Sequence, residues 1–202
     1  MKTLFTFGFL ALSMISMAQS TGLKPGAKAP DFNLKNVTGD KVSFTTFQQA
    51  KGYILVFTCN TCPVAKAYEQ RIVELNDKYA PLGYPVIAIN TNDPDVSAGD
   101  SFEAMVARSK EKNYRFPYLF DEGQVITTAY GARHTPTIFL VKHSNDGNVI
   151  VYTGAIDNDP DGDKSDKVNY VGQAISAVQE GKEPAITSTK AIGCSVKRKR
   201  SV

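Results

Sequence analysis

Five consecutive apolar residues, Tyr53-Ile54-Leu55-Val56-Phe57, run into Thr58-Cys59-Asn60-Thr61-Cys62-Pro63 and then into a segment with apolar residues at helical spacing. The run is rich in β-branched and aromatic residues and does not alternate, which predicts a central strand buried on both faces. Ala65, Tyr68, Ile72, Leu75 and Tyr79 recur at the period of a helix, and Pro63 suits its first turn. Pro81-Leu82-Gly83 ends that helix, and Pro85-Val86-Ile87-Ala88-Ile89 reads as the next buried strand. Strand, helix and strand predict a right-handed βαβ unit. Two of the chain's three cysteines lie where the first strand hands over to its helix.

The remaining segments extend this pattern. Ala29-Pro30-Asp31-Phe32-Asn33-Leu34 alternates as a short strand, Thr38-Gly39-Asp40-Lys41 is a turn, and Val42-Ser43-Phe44 is a second short strand. Ser101, supported by Glu103, caps a helix through Phe102, Met105 and Val106 to about Lys112. Phe116 to Phe120 is a strand, and Gln124 to Tyr130 a short helix closed by Gly131. Thr137 to Val141 and Val149 to Tyr152 are strands joined through Asn145-Asp146-Gly147, a hairpin signal, and Val168 to Gln179 is the last helix. This order predicts an α/β chain with a central mixed β-sheet flanked by helices. A length of 202 residues with a hydrophobic fraction of 42% fits one domain with a real core. A net charge of +3 gives the body of the chain no bias toward nucleic acid or membrane. Lys197, Arg198, Lys199 and Arg200 read as a solvated tail.

The N-terminus reads as a targeting segment. Met1-Lys2 is a short positive stretch, Leu4 to Met17 is largely apolar, and Ser16-Met17-Ala18 places small residues before a cut at Ala18/Gln19. The apolar run is short for a membrane span, although an uncleaved anchor is the alternative reading. The expected division is a signal peptide over 1–18, one domain over 19–182 and a C-terminal tail over 183–202. The mature chain is expected to be a monomer, exported to the periplasm or the cell exterior, with no stable membrane insertion. An oxidising compartment permits structural disulfides. Yet three cysteines is an odd number, and a bridge between residues three apart closes too small a loop to stabilise much. The pair is therefore kept for its chemistry.

A helix N-terminus presents free N–H groups and the positive end of the helix dipole, both of which favour a thiolate. Cys59, at or just before the first turn, is expected to have its pKa lowered and to attack; Cys62, one turn on, is expected to resolve the mixed disulfide. Cys-x-x-Cys between a strand and a helix signals thioredoxin-type chemistry. Downstream, Gly131-Ala132-Arg133-His134-Thr135-Pro136 leads into the strand at Thr137. In thioredoxin-like folds a proline at this place is cis, faces the cysteines and opens the preceding backbone to a substrate peptide. Thr135 and Pro136 are thus the candidate substrate-binding residues.

Ala29-Pro30-Asp31-Phe32, Gly39-Asp40-Lys41-Val42-Ser43-Phe44, Phe57-Thr58-Cys59-Asn60-Thr61-Cys62-Pro63, Tyr68-Glu69, Arg71 and Thr135-Pro136 together resemble the redoxin (AhpC/TSA-like) branch of the thioredoxin superfamily. The resemblance covers about residues 25–182 and is greatest to small redoxins with a Cys-Asn-x-Cys-Pro motif and a late Gly-Cys-Ser, here Gly193-Cys194-Ser195. It implies a thioredoxin-like fold with an N-terminal β-hairpin and a dithiol site at Cys59 and Cys62. The implied activity is thiol–disulfide exchange with dithiols of other exported proteins and an unidentified redox partner, without a cofactor.

Several residues depart from the pattern. Thr58 and Asn60-Thr61 replace the Trp and Gly-Pro of thioredoxin, and Tyr53 to Phe57 contains no buried acid to accept a proton. Peroxiredoxins attack peroxide with a cysteine three residues after Thr or Ser; Val56 and Cys59 occupy those positions here, which makes a thiol peroxidase the weaker enzymatic alternative. A copper or zinc carrier using Cys59, Cys62 and His134 is the alternative from another class. Cys194 is either incidental or a third redox thiol folding back to exchange with Cys59; extended chain, at about 3.3 Å per residue, permits that reach. Asp157-Asn158-Asp159-Pro160-Asp161-Gly162 matches half a calcium loop, but Val168 stands where the bidentate glutamate belongs, so an acidic surface loop is expected.

Overall fold

The apolar run forms the middle of a sheet because it has no polar face to turn toward water. In a computed structural model that describes residues 22–199, the chain order is β1 (Leu34–Asn36), β2 (Lys41–Val42), β3 (Gly52–Thr58), α1 (Pro63–Tyr79), β4 (Val86–Asn90), α2 (Phe102–Glu111), β5 (Tyr118–Phe120) and α3 (Val125–Tyr130). It continues with β6 (His134–Thr135), β7 (Thr137–Ser144), β8 (Gly147–Gly154), α4 (Tyr170–Gln179) and β9 (Cys194–Ser195). The main sheet has the order β2-β1-β5-β4-β3-β7-β8. β3, β4 and β5 are parallel, and the flanking pairs are antiparallel, so the sheet is mixed. The targeting segment expected over 1–18 lies outside the described residues, and no described helix is long and apolar enough to cross a membrane.

Alternate residues of β3 feed two separate cores. Ile54 and Val56 pack with α1, α4 and Met105 on one face; Tyr53, Leu55 and Phe57 pack with Phe32, Phe44, Ile126 and Tyr130 on the other. All seven residues of β3 are buried. Burying a large apolar side chain is worth about 1.5–3 kcal/mol, so β3 is the strand least able to shift, and the cysteines hang from its end.

Local signals placed most elements, with edges that moved. The first strand is Leu34–Asn36 rather than 29–34, because Ala29 bonds to Asn148 of β8 and Phe32 turns into the core before β1 begins. The strand expected at Val42-Ser43-Phe44 stops at Val42, since Ser43 and Thr46 reciprocally cap a 3-10 turn over Phe44–Thr46. The last helix starts at Tyr170, where the Asn169 side chain accepts the Gly172 N–H.

Two expectations about surface segments are corrected. Asp157 and Asp159 are both buried, not displayed on an acidic surface loop. Asp157 accepts from Arg71 at 3.0 Å and from the Tyr68 hydroxyl at 2.9 Å, while Asp159 Oδ1 caps the N–H groups of Gly162, Asp163 and Lys164. Their charges are met by Arg71 and Lys167. The C-terminal stretch does not trail into solvent either. Thr189 pairs with Thr153, β9 pairs antiparallel with β6, and the Lys197 backbone bonds to Asn92 and Asp93.

Candidate active site

β3 delivers Cys59 one residue past its end, and α1 begins at Pro63, which makes Cys62 the N-cap. The Cys62 sulfur accepts the Ala65 N–H at 3.5 Å. Facing both cysteines is Thr135, whose peptide bond to Pro136 is cis. Its hydroxyl lies 3.2 Å from the Cys59 sulfur, and its carbonyl accepts the Cys62 thiol at 3.3 Å. One residue from a strand distant in sequence therefore touches both sulfurs. All three cysteines are unpaired thiols.

The electrostatic roles expected of the two cysteines are reversed. Burial pushes the Cys59 thiol up and the Asp100 charge adds to it; the Thr135 hydroxyl and the N–H groups of Cys62 and Thr61 do not offset this. Burial also opposes ionisation of Cys62, but the Cys194 thiol, the N–H groups of Ala65 and Cys194, and Thr135 outweigh it and hold Cys62 below the usual thiol range. The largest of these favourable contacts is the Cys194 thiol, and the helix boundary adds to it. The free N–H groups of α1 begin after Cys62 and reach its sulfur, not that of Cys59.

A carboxylate missed in the sequence fixes the loop between the cysteines. Asp100, with no exposed surface, accepts the Asn60 N–H at 2.6 Å, the Thr61 hydroxyl at 2.8 Å, Asn92 Nδ2 at 2.8 Å, Ser97 Oγ at 2.7 Å and Asn90 Nδ2 at 3.2 Å. The Asn60 side chain in turn donates to the Gly99 carbonyl and accepts from Tyr118. A buried acid thus stands beside the dithiol on a turn after β4, where it binds the loop between the cysteines. Nothing local to Asp100 announces it, because the adjacent Ser101 already accounts for the sequence there as a helix cap.

The other candidate residues are placed as follows. His134 is exposed on β6 and does not join the cysteines; among the described residues no group of three or more His, Cys, Asp or Glu side chains is placed to hold a metal ion. The copper or zinc set of Cys59, Cys62 and His134 is therefore not formed. Thr135 and Pro136 are buried rather than open to a peptide, because β9 pairs with β6 in the register Thr135 to Cys194. Cys194 meets Cys62, not Cys59: its N–H donates to the Cys62 sulfur at 3.3 Å.

This arrangement, a dithiol at the start of a helix beneath a cis-proline loop on a mixed sheet, has relatives. The AhpC/TSA family matches residues 25–151. The chain belongs to the AhpC/TSA family. This AhpC/TSA chain is 29% identical over 125 residues to the thiol-disulfide oxidoreductase ResA of Bacillus thuringiensis subsp. konkukian, covering 62% of the chain and 66% of that protein, just under two thirds. Among solved structures it is similar to an uncharacterized conserved protein from Geobacillus kaustophilus, at a TM-score of 0.80 and 32% identity over 88% of this chain and 94% of that one. A thiol-disulfide oxidoreductase from Bacteroides fragilis shares the fold at a TM-score of 0.51 and 20% identity, covering 63% of this chain and 89% of that one. The AhpC/TSA chain thus has the thioredoxin-like fold, with a short antiparallel β1–β2 pair at the sheet edge.

Proposed function

We propose that the chain is an exported thiol–disulfide oxidoreductase that exchanges disulfides with protein dithiols through Cys59 and Cys62. The observation that carries this reading is the shared contact with Thr135, which sets one residue against two free thiols three residues apart. The ResA relatives support the reaction class, and the Met1 to Ala18 segment supports export.

In the reducing direction the Cys62 thiolate attacks a client disulfide, forming a bond between Cys62 and the client and releasing the client's other sulfur as a thiolate. Cys59 then gives its proton to that departing thiolate and attacks Cys62. The Cys59–Cys62 disulfide forms, and the second client sulfur leaves. The client gains two electrons and the protein dithiol loses them. The reverse sequence oxidises a client, and the partner's potential sets the direction.

Turnover of a fluorogenic disulfide peptide, with dithiothreitol as donor, tests the proposal. Turnover above the uncatalysed rate is expected, falling by about a hundredfold or more in Cys62→Ser. A rate indifferent to Cys62→Ser, or no turnover by the unaltered chain, refutes it.

A further inference from the structure

The C-terminal segment brings a third sulfur onto the second cysteine. Gly193 sits at φ 155°, and a Cβ there would collide with the Thr135 carbonyl, so glycine is what lets β9 lie against β6. The Val196 N–H then donates to the Arg133 carbonyl, and the Lys197 carbonyl accepts from the Asp93 N–H at 3.0 Å and from Gln124 at 2.8 Å. Held this way, the Cys194 N–H reaches the Cys62 sulfur at 3.3 Å and its thiol hydrogen-bonds to the same sulfur. Cys194 packs with Cys59, Cys62, Val64 and Ala65 in one small apolar cluster. Cys59 and Cys62 are each 3% exposed, whereas Cys194 is only partly buried.

We propose that Cys194 is a third redox thiol that forms a disulfide with Cys62 and relays electrons between the buried pair and an external dithiol. This rests on the dithiol exchange proposed above and adds the route by which the buried disulfide is reached. Starting from the Cys59–Cys62 disulfide, the Cys194 thiolate attacks the Cys62 sulfur. The Cys62–Cys194 bond forms, the Cys59–Cys62 bond breaks, and Cys59 leaves as a thiolate that takes up the proton Cys194 gave. No electron enters or leaves in this step. An external dithiol then attacks Cys194, the accessible sulfur, and Cys62 leaves as a thiolate that accepts the N–H groups of Ala65 and Cys194 and then takes up the proton of the attacking thiol. The second external thiol closes that partner's own disulfide and releases Cys194 with a proton. All three cysteines end as thiols, and the external dithiol has lost two electrons. A stabilised leaving thiolate speeds such an exchange, which favours attack at Cys194 over attack at Cys62.

Peptide mapping tests this directly on the full chain. Trypsin releases residues 52–66, carrying both Cys59 and Cys62, and residues 191–197, carrying Cys194. The reduced chain is treated with limiting oxidised glutathione, quenched with acid, alkylated and digested. The expected product joins 52–66 to 191–197 with the alkyl group on Cys59; it persists in Cys59→Ser and disappears in Cys62→Ser. Re-reduction of the oxidised chain by a soluble Cys-x-x-Cys peptide should slow by about tenfold in Cys194→Ala. A Cys194 that stays fully alkylatable in both the unaltered chain and Cys59→Ser overturns the proposal. Disulfide turnover without the cross-link overturns the role of Cys194 alone; a cross-link without turnover overturns the exchange on which that role rests.

Discussion

Asp100 holds Asn60: the fully buried carboxylate accepts the backbone N–H between the two cysteines at 2.6 Å. Four further donors converge on the same carboxylate, from Thr61, Asn90, Asn92 and Ser97. Asp100→Asn keeps the volume but replaces one acceptor oxygen with a donor. A buried group left unsatisfied costs about 1–3 kcal/mol, so a loss of a few kcal/mol is expected in denaturant unfolding. The charge on Asp100 also raises the Cys59 pKa; the variant should therefore ionise Cys59 at lower pH, read from the pH dependence of its alkylation. An unchanged Cys59 profile would show that Asp100 only shapes the loop.

The order in which the thiols ionise follows from their hydrogen bonds. Cys62 is held below the usual range, Cys59 is raised, and Cys194, which donates to Cys62 and is partly buried, is pushed up to about 11. On raising pH the first thiolate absorbance should belong to Cys62. Folding binds Cys62 at a lowered pKa, so its contribution to stability is present above the unfolded thiol value and fades as pH falls through the folded one. The other two act oppositely, losing their contribution as pH rises through their raised values. Ultraviolet titration of single serine variants checks the order: Cys62→Ser should remove the earliest step. Removal of that step by Cys59→Ser would reverse the assignment.

Docking of β9 depends on a missing side chain. Gly193→Ala puts a Cβ into the Thr135 carbonyl and a left-handed φ onto a residue that disfavours it. Native-state alkylation of Cys194 should accelerate by about tenfold or more, the equivalent of about 1.4 kcal/mol of lost docking. Equal rates in the two chains would mean that β9 is not held by this approach.

His134 is exposed and stands apart from the thiols. His134→Ala should leave disulfide turnover within about twofold, and copper(I) or zinc should bind both chains weakly and alike. Tight stoichiometric binding that vanishes in the variant would revive the metal-carrier reading.

Whatever was legible in the sequence was local. The β3 run, the α1 periodicity and the two cysteines between them state their structure within a few residues of themselves. The cis Thr135–Pro136 peptide was expected only through the likeness to thioredoxin-like folds, since a proline before a strand is by itself compatible with trans. Asp100 was not readable as the anchor of the loop, and for Cys194 the fold-back was expected but its neighbour, Cys62 rather than Cys59, was not. Each acts across a long separation, 40 residues from Asp100 to Asn60 and 132 from Cys194 to Cys62. Their positions depend on how a turn after β4 and a strand after α4 settle on the finished sheet. The direction of the thiol pKa shifts was not readable for two reasons: α1 begins one residue after Cys62, so its first free N–H groups reach that sulfur, and the Cys194 thiol arrives at the same sulfur from the far end of the chain.

The β6–β9 ladder also defines who can compete for the site. An extended client peptide that sought the Thr135 backbone would find the edge filled by a segment of the same molecule. A tethered segment competes at an effective concentration in the millimolar range when its linker is short and flexible. A client that bound only by adding a strand would have to displace β9 from β6. On the exchange proposed above, a partner reaches the dithiol either through Cys194 where it stands or by displacing β9, so the segment around Cys194 acts as a built-in standard against which an incoming partner would be measured.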